Sequence, residues 1–375
     1  MTQPGPERGD AMISLRHVSK AYGGASGAAV EDLSLDVPRG ATVMLVGPSG
    51  CGKTTTLKMI NRLIEPTSGT IEVDGRDVMG RDPVELRRGI GYVIQQVGLL
   101  PHRTIFDNIA TVPQLLGWDR DRARERVLEL AALLDLDEQL LRRYPAELSG
   151  GQQQRVGVAR ALGADPPILL MDEPFGAVDP IVRGRLQDEF AALRSRLGKT
   201  VVFVTHDIDE AIKLGDRVVI MNMGGRVEQY APPEEILRTP ASEFVERFVG
   251  AERGLKRLSL IQVGEIGVEG GPVVSPSASA DEARRAIDAS PFDWTSVVEG
   301  GELLGWVDRA SLDGVRTVAD LRPRRFSAYV TASSSLREAL DAIVTSRTQV
   351  AVVASEGQRY LGILTLERIS REIIE

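Results

Sequence analysis

The sequence holds a single cysteine, Cys51. One thiol excludes a disulfide scaffold within the chain and suits a reducing cytosol. A surplus of positive charge is also lacking: 45 basic against 53 acidic side chains leave a formal net charge of −8. General nucleic-acid affinity wants a basic face, so no nucleic-acid partner is expected. No apolar run approaches the roughly 18 residues of a membrane-crossing helix. Any membrane role must then come through a partner. The opening MTQPGPERGD is polar and lacks the apolar core of a signal peptide. Residues 1–11 read as a disordered tail. The remaining composition is that of an ordinary globular chain: 42% hydrophobic and 26% charged over 375 residues, enough for two or three domains.

Against this plain background one stretch stands out. GPSGCGKTT, Gly47–Thr55, fits G-x-x-x-x-G-K-[ST] with Gly47, Gly50, Gly52, Lys53 and Thr54 in register. An apolar segment, Ala41–Val46, runs into it and a helical pattern runs out. That is the strand–loop–helix setting of a phosphate-binding loop. Glycines let successive N–H groups turn inward around an anion, and the following helix adds its positive end. Lys53 reaches the β- and γ-phosphates, and the Thr54 hydroxyl can ligate Mg2+. Pro48, Ser49 and Cys51 complete the loop, Cys51 as a small filler, and Thr55 follows in the helix.

Other motifs take their places around it. From Met12 the pattern ISLRHVSKAYG alternates as a strand with one solvated face, and Tyr22 ends it. Tyr22 is either an ordinary strand-end aromatic or a platform for an adenine ring. AVEDLSLDVP forms a second strand, and SGTIEVDGRDV a hairpin turning at Asp74-Gly75. A strand from Ile90 becomes loop at Gln95, and a helical region runs roughly from Ile105 to Leu141. The short apolar runs ILLM, ending in Asp172-Glu173-Pro174, and TVVFVT, ending in His206-Asp207, read as buried parallel strands. Ligands of such sheets bind at the carboxyl ends of the strands, where Gly47–Thr54, Asp172, Glu173 and His206 all fall. Asp172 is then placed near Mg2+, and Glu173 can orient or deprotonate an attacking water. His206 can hydrogen-bond the γ-phosphate and that water.

LSGGQ, Leu148–Gln152, satisfies the capping-box pattern through Ser149 and Gln152. A plain cap would not place Gly150 and Gly151 in the first turn, where each glycine costs up to about 1 kcal/mol. Glycines there permit close approach of a ligand, such as the γ-phosphate of a nucleotide held elsewhere.

With these residues in this order, the chain resembles an ABC transporter ATPase over about residues 12–250. The resemblance implies a P-loop NTPase of α/β class: a RecA-like core with antiparallel β and helical subdomains, the latter at about 105–165. Tyr22 matches the adenine-stacking aromatic, Gln95 the Q-loop that also reaches Mg2+, and Gly176–Asp179 (GAVD) the D-loop with its Asp179. It further implies a homodimer of head-to-tail cassettes, each ATP lying between one phosphate loop and the partner's LSGGQ. A groove near Gln95 would receive the coupling helix of an integral membrane permease. INRLIEPTSG, GYVIQQVGLLPHRTIFDNIATVP, FGAVDPIVR and VTHDIDEAIKLGDR narrow the resemblance to importers of glycine betaine, carnitine, choline and related osmoprotectants. An extracytoplasmic solute-binding protein and a peripheral location on the cytoplasmic face of the membrane follow from that family.

The C-terminal third shifts in composition. Residues 251–280 read as a linker, rich in Gly, Ser and Pro from Gly264 to Ser279. Two similar units follow, Asp281–Leu312 and Ser335–Ile369, each running helix, strand, turn, strand, helix, with Gly305 and Gly362 at matching points. This repeat resembles a pair of CBS motifs, giving a regulatory domain over 281–375; a small α/β dimerisation domain is the alternative. CBS pairs that bind adenosine nucleotides commonly carry a Thr and, three residues later, an Asp. Here Thr365 is followed by Arg368, and the first copy has Asp308 and Ser311. Those departures disfavour AMP or ATP and leave two ligands implied by the family, cyclic di-AMP or anionic lipid. Arg322, Arg324 and Arg325 form a small basic cluster suited to either.

Three functions compete: a transport ATPase, a soluble ABC ATPase of translation or DNA repair, and a nucleotide sensor. Soluble translation members usually carry two cassettes in one chain and repair members a long coiled coil, and this chain has neither. A complete set of ATPase motifs disfavours the pure sensor. The first reading is the expectation, with ATP and Mg2+ as cofactors and a quaternary amine, or another small solute, as cargo.

Overall fold

The computed structural model describes residues 11–23, 27–95, 98–176, 179–326, 329–355, 357 and 359–374. The expected tail lies outside them except for Ala11, which begins a strand, and so do Ala177 and Val178 of the D-loop. The chain divides at Gly250 into two compact units.

The first unit holds two sheets. In the four-stranded antiparallel one, Ala28–Pro38, Ala11–Ala21, Ser68–Val73 and Arg76–Asp77 follow one another in that order. The expected hairpin is there: Glu72 pairs with Asp77 and Val73 with Arg76, and Asp74 and Gly75 turn with φ of 52° and 69°. Two successive positive φ values suit the right-handed strand twist, which is why Asp-Gly is favoured there.

The six-stranded sheet runs Arg226–Ala231, Arg217–Asn222, Thr42–Val46, Thr200–Val204, Ile168–Asp172, Ile90–Val93. The last five are mutually parallel, and only Arg226–Ala231 is antiparallel to its neighbour. Every residue of Thr42–Val46, Ile168–Asp172 and Thr200–Val204 is buried. Strands covered on both faces have no solvated side to mark with polar residues, so they read as unbroken apolar runs. The helix Lys53–Ile60 buries Leu57, Met59 and Ile60 in the same core.

The helical region resolves into Ile105–Ile109, Thr111–Leu115, Arg120–Leu133 and Gly150–Leu162. Asp119 caps the third through the amide of Arg122, and Thr104 caps the first through that of Asp107. Arg120, Asp121, Arg122, Arg124 and Glu125 form the solvated face of its helix, with Ala123, Val127 and Leu130 turned inward.

The second unit repeats one motif. Ala280–Asp288, Trp294–Glu299 and Glu302–Asp308 make the first copy; Leu336–Thr345, Ala351–Ala354, Tyr360–Leu364 and Leu366–Ile374 make the second. Gly305 and Gly362 sit at matching irregularities of register, with φ of 146° and 148°. A Cβ on Gly305 would lie 2.4 Å from the Arg324 carbonyl oxygen, and on Gly362 2.6 Å from that of Glu269. Passing backbone crosses both glycines, so the repeat extends to the segments before each copy. That corrects the reading of 251–280 as a linker. Its Val273–Val274 is a parallel strand against Ser296 and Val297, as Tyr329–Val330 is against Val352 and Val353. Its Leu258 and Val263 are fully buried in the core of the second copy. A two-residue strand among glycines and prolines is too short to show any periodicity.

Candidate active site

The strand order lays out the site. The loops leaving the carboxyl ends of four neighbouring parallel strands carry, in turn, Gly47–Gly52, Thr205–Asp207, Asp172–Glu173 and Gln95. Each strand is short and buried, so each delivers its polar residue at nearly the same height.

The phosphate loop depends on its glycines for space. A Cβ on Gly47 would stand 2.2 Å from the Met221 carbonyl oxygen, and one on Gly52 2.7 Å from that of Ala29. Gly52, with φ of 105°, turns the chain into the helix Lys53–Ile60. Lys53 is 5% exposed, and its ammonium donates to the carbonyls of Gly47 and Pro48 at 2.7 and 3.0 Å. Cys51 is fully buried in the same turn, its Sγ 3.7 Å from Lys53 Nζ.

Thr54 donates its hydroxyl to Asp172 Oδ1 at 2.8 Å. Burial pushes the Asp172 carboxyl above its ordinary range, while the Thr54 hydrogen bond and the charge of Lys58 pull the other way. A buried carboxylate beside a hydroxyl is an oxygen donor set suited to a small hard divalent cation, which takes one or two carboxylates and completes its shell with phosphate oxygens and water. Among the described residues, no group of three or more His, Cys, Asp or Glu side chains could hold a metal alone.

Glu173 is the meeting point. Its φ of 45° is unusual for a side chain other than glycine, and its amide is fixed to the Val204 carbonyl at 2.9 Å. Strained backbone of this kind persists only where the surroundings impose it, and it clusters at active sites. Gln95 Nε2 donates to Glu173 Oε2 at 2.9 Å, and His206 Nδ1 lies 3.5 Å from the same oxygen. Gln95 thus spends its amide nitrogen on Glu173, leaving its oxygen as the end able to ligate a cation.

Other expected residues stand apart from this cluster. Tyr22 is exposed at the end of Ala11–Ala21, on the antiparallel sheet, with Lys20 Nζ 5.3 Å from its ring centre. Leu148–Gln152 forms the capping box: Ser149 Oγ accepts from the Gln152 amide, and Gln152 Oε1 from that of Ser149. Leu148 is buried, but a Cβ on Gly150 would meet nothing within 4 Å, and Gly150 has no positive φ. Neither backbone conformation nor packing inside the chain calls for glycine there. Asp179 precedes the helix Pro180–Leu197, its carbonyl accepting from Arg183.

Asn108 and Arg160 are among the residues that escaped the sequence reading. Asn108, fully buried, accepts from the Leu100 amide at 2.7 Å and donates to the carbonyls of Leu100 and Thr104. Arg160 donates to the Gly98 carbonyl at 2.6 Å. Together they fasten the loop beyond Gln95 to the helices Ile105–Ile109 and Gly150–Leu162. The signal for Asn108 was available: it shares a helical face with Ile105 and Ile109, and a polar group on a buried face must be hydrogen-bonded.

In the second unit the positions compared with an adenosine site are engaged internally. Thr365 Oγ1 donates to Glu269 Oε2 at 2.8 Å, and Arg368 to the Ile266 carbonyl and to Glu372. Asp308 accepts from Arg324 at 2.7 Å, with the guanidinium 5.1 Å from the Trp306 ring centre. Arg324 of the basic cluster is therefore paired. Arg325 instead borders a cleft with Phe326, Tyr329 and Leu304.

Comparison with known proteins agrees with this geometry. Residues 30–176 match the family model described as ABC transporter, and residues 318–375 that described as CBS domain. The carnitine transport ATP-binding protein OpuCA of Listeria monocytogenes is 47% identical over 94% of this chain and 90% of its own length. The glycine betaine/carnitine/choline transport ATP-binding protein OpuCA of Bacillus subtilis is 48% identical over 94% of each. The osmoprotectant import ATP-binding protein OsmV of Salmonella typhimurium is 45% identical over 96% of this chain and 95% of its own. Among solved structures, a dimeric bacterial ABC transporter cassette, MJ0796, is similar with 37% identity and a TM-score of 0.54, covering 59% of this chain and 99% of that one.

Proposed function

This chain belongs to the ABC transporter family, among the ATP-binding subunits of osmoprotectant importers, and from that premise we propose that it hydrolyses ATP to drive import of a quaternary amine. Glycine betaine, carnitine, choline and proline betaine are the cargo class. In this reading Gly47–Thr55 cradles the phosphates, Tyr22 stacks on adenine, and Thr54, Asp172 and the amide oxygen of Gln95 hold Mg2+. Glu173 orients and deprotonates the attacking water, and His206 bonds the γ-phosphate.

The observation that carries the proposal is the convergence of Gln95 and His206 on one oxygen of Glu173. A general base must be held within hydrogen-bond reach of the proton it removes. Gln95 and His206 arrive from two other strand ends and fix that carboxylate.

The first helical turn at Gly150–Gly151, with Gly150 exposed, receives the partner's ATP. Two chains therefore act head to tail, with Asp179 of the D-loop at their contact. No helix among the described residues is long and apolar enough to cross a membrane. The chain works at the cytoplasmic face on an integral permease, which in turn meets an extracytoplasmic solute-binding protein. The unit after Gly250 regulates transport, through cyclic di-AMP or through contact with anionic lipid.

The test is uptake of radiolabelled glycine betaine, carnitine, choline and proline betaine with and without this chain. Loss of ATP-dependent uptake of at least one supports the proposal. Unchanged uptake of all four overturns the substrate class, and absence of any membrane protein co-purifying with the chain overturns the transport role.

A further inference from the structure

Behind His206 lies a buried carboxylate that the site as described does not use. Glu210 sits in the first turn of the helix Ile208–Leu214 and is 5% exposed. It accepts from Gln187 Nε2 at 3.0 Å and from the hydroxyl of Thr205. Gln187 and Thr205 are themselves buried, at 9% and 2% exposure.

The helix start explains the arrangement. Asp207 is the N-cap, its Oδ1 accepting from the amides of Asp209 and Glu210. Glu210 holds the third helical position, where a glutamate commonly returns to the amide of the cap residue. Here the Asp207 amide is taken by Thr205 Oγ1 at 3.0 Å. That releases Glu210 to reach the Thr205 hydroxyl on one side and Gln187 on the other. Gln187 belongs to the helix Pro180–Leu197, which begins directly after Asp179. His206 is therefore the middle residue of a three-residue turn whose ends are tied together and tied, through Glu210, to the D-loop helix. Glu173, Phe175, Thr205, His206 and Glu210 border one small cavity.

We propose that Glu210 is a positioning residue for ATP hydrolysis, holding the Thr205–Asp207 turn so that the His206 ring faces Glu173, and binding that turn to the helix after Asp179. Glu210 touches neither nucleotide nor water in this scheme; it acts through His206. The inference rests on the proposed roles of Glu173 and His206, and its test separates the two.

The chain contains only three histidines, His17, His102 and His206, so imidazole resonances of the full-length protein resolve into three assignable sets. Glu210→Gln keeps the volume and one acceptor oxygen but turns the other oxygen into a donor NH2, so Gln187 and Thr205 can no longer donate to separate oxygens. Thr205→Val removes the hydroxyl at nearly constant shape, and Thr205→Ser restores it. The expected result is that Glu210→Gln and Thr205→Val each move the His206 resonances while His17 and His102 stay. Each also lowers kcat by tenfold or more with KM for ATP changed less than twofold, and Thr205→Ser recovers both readouts. Should Glu210→Gln fail to fold, the two Thr205 variants decide alone. Unmoved His206 resonances, or moved resonances with wild-type kcat, overturn the proposal. Hydrolysis surviving in both Glu173→Gln and His206→Ala overturns the underlying reading instead, whatever the resonances do.

Discussion

Thr54 and Asp172 are 118 positions apart in sequence and meet at 2.8 Å, hydroxyl to carboxylate. The contact joins the helix that follows the phosphate loop to the end of a strand two places away in the sheet. It places two oxygen donors side by side, the carboxylate buried and the hydroxyl half-buried. Burial makes that costly, and the cost has a visible consequence for pH.

Asp172→Asn is expected to lose hydrolysis and gain stability. The folded-state pKa of Asp172 is raised, chiefly by burial. A raised carboxyl pKa means that the ionised group destabilises the fold above that pKa. The penalty fades as pH falls through it and the group takes up a proton. The nucleotide-free variant should therefore melt at a higher temperature than wild type at pH 8, with the difference shrinking toward pH 4. Turnover should fall by about 100-fold or more, since a catalytic cation supplies several kcal/mol of charge stabilisation. A variant that melts lower than wild type at pH 8 contradicts the assignment of Asp172 as a desolvated carboxylate.

Glu173→Gln should bind ATP normally and turn over roughly 100- to 10,000-fold more slowly, the range typical of a lost general base. Glutamine keeps the shape and can still meet Gln95 and His206. The expected species is an ATP-bound dimer visible by gel filtration. Wild-type-like hydrolysis by this variant would falsify the role of Glu173.

Lys53→Ala should lose most nucleotide affinity, because the ammonium is the one buried cation of the loop among the described residues. Ser149→Arg should leave binding to the monomer intact and prevent dimer closure, placing bulk and an ill-fitted charge against the partner's γ-phosphate. In a mixed dimer of the two, one composite site carries both lesions and the other carries neither. ATP trapping should then partly return, read as retained labelled nucleotide. If no mixing ratio restores it, the head-to-tail arrangement is wrong.

How far this site could be read from sequence differed by residue. Gly47–Thr54, Asp172, Glu173 and His206 each follow a short apolar run, so strand ends could be located and their convergence argued before any coordinates. The Ser149–Gln152 box was legible because capping is local. Arg160, Gln187 and Glu210 were not. Each lies inside a helical stretch where a polar residue passes for a solvated face, and only the packing of distant elements reveals that Gln187 and Glu210 are buried and that Arg160 reaches the Gly98 carbonyl. The segment 251–280 failed for the opposite reason. It contributes the short helices Arg253–Arg257 and Val263–Ile266, one two-residue strand and the scattered buried residues Leu258 and Val263, none of them long enough for a period to mark.

That correction changes where the chain can be cut. A truncation near Arg253 would leave part of the second unit attached, whereas the division falls after Gly250. Leu258 and Val263 belong to the core of the second copy, so removal from Ala251 onward takes that core away whole. Ending the chain at Gly250 should therefore preserve a folded cassette and ATP-driven uptake, within about twofold of the full chain. What should disappear is the response to conditions. Contacts of basic residues with anionic lipid are worth about 1 kcal/mol each near a membrane surface and weaken as salt screens them. With Arg324 paired to Asp308, Arg322 and Arg325 remain from that cluster. A cyclic dinucleotide would engage the cleft bordered by Arg325, Phe326 and Tyr329. Uptake measured in proteoliposomes against internal salt, with and without cyclic di-AMP, distinguishes the two. Full-length transporter should respond to at least one, and Arg325→Ala should weaken the response to cyclic di-AMP if that ligand is the signal. If transporters ending at Gly250 respond to both variables as the full chain does, regulation does not reside in the second unit.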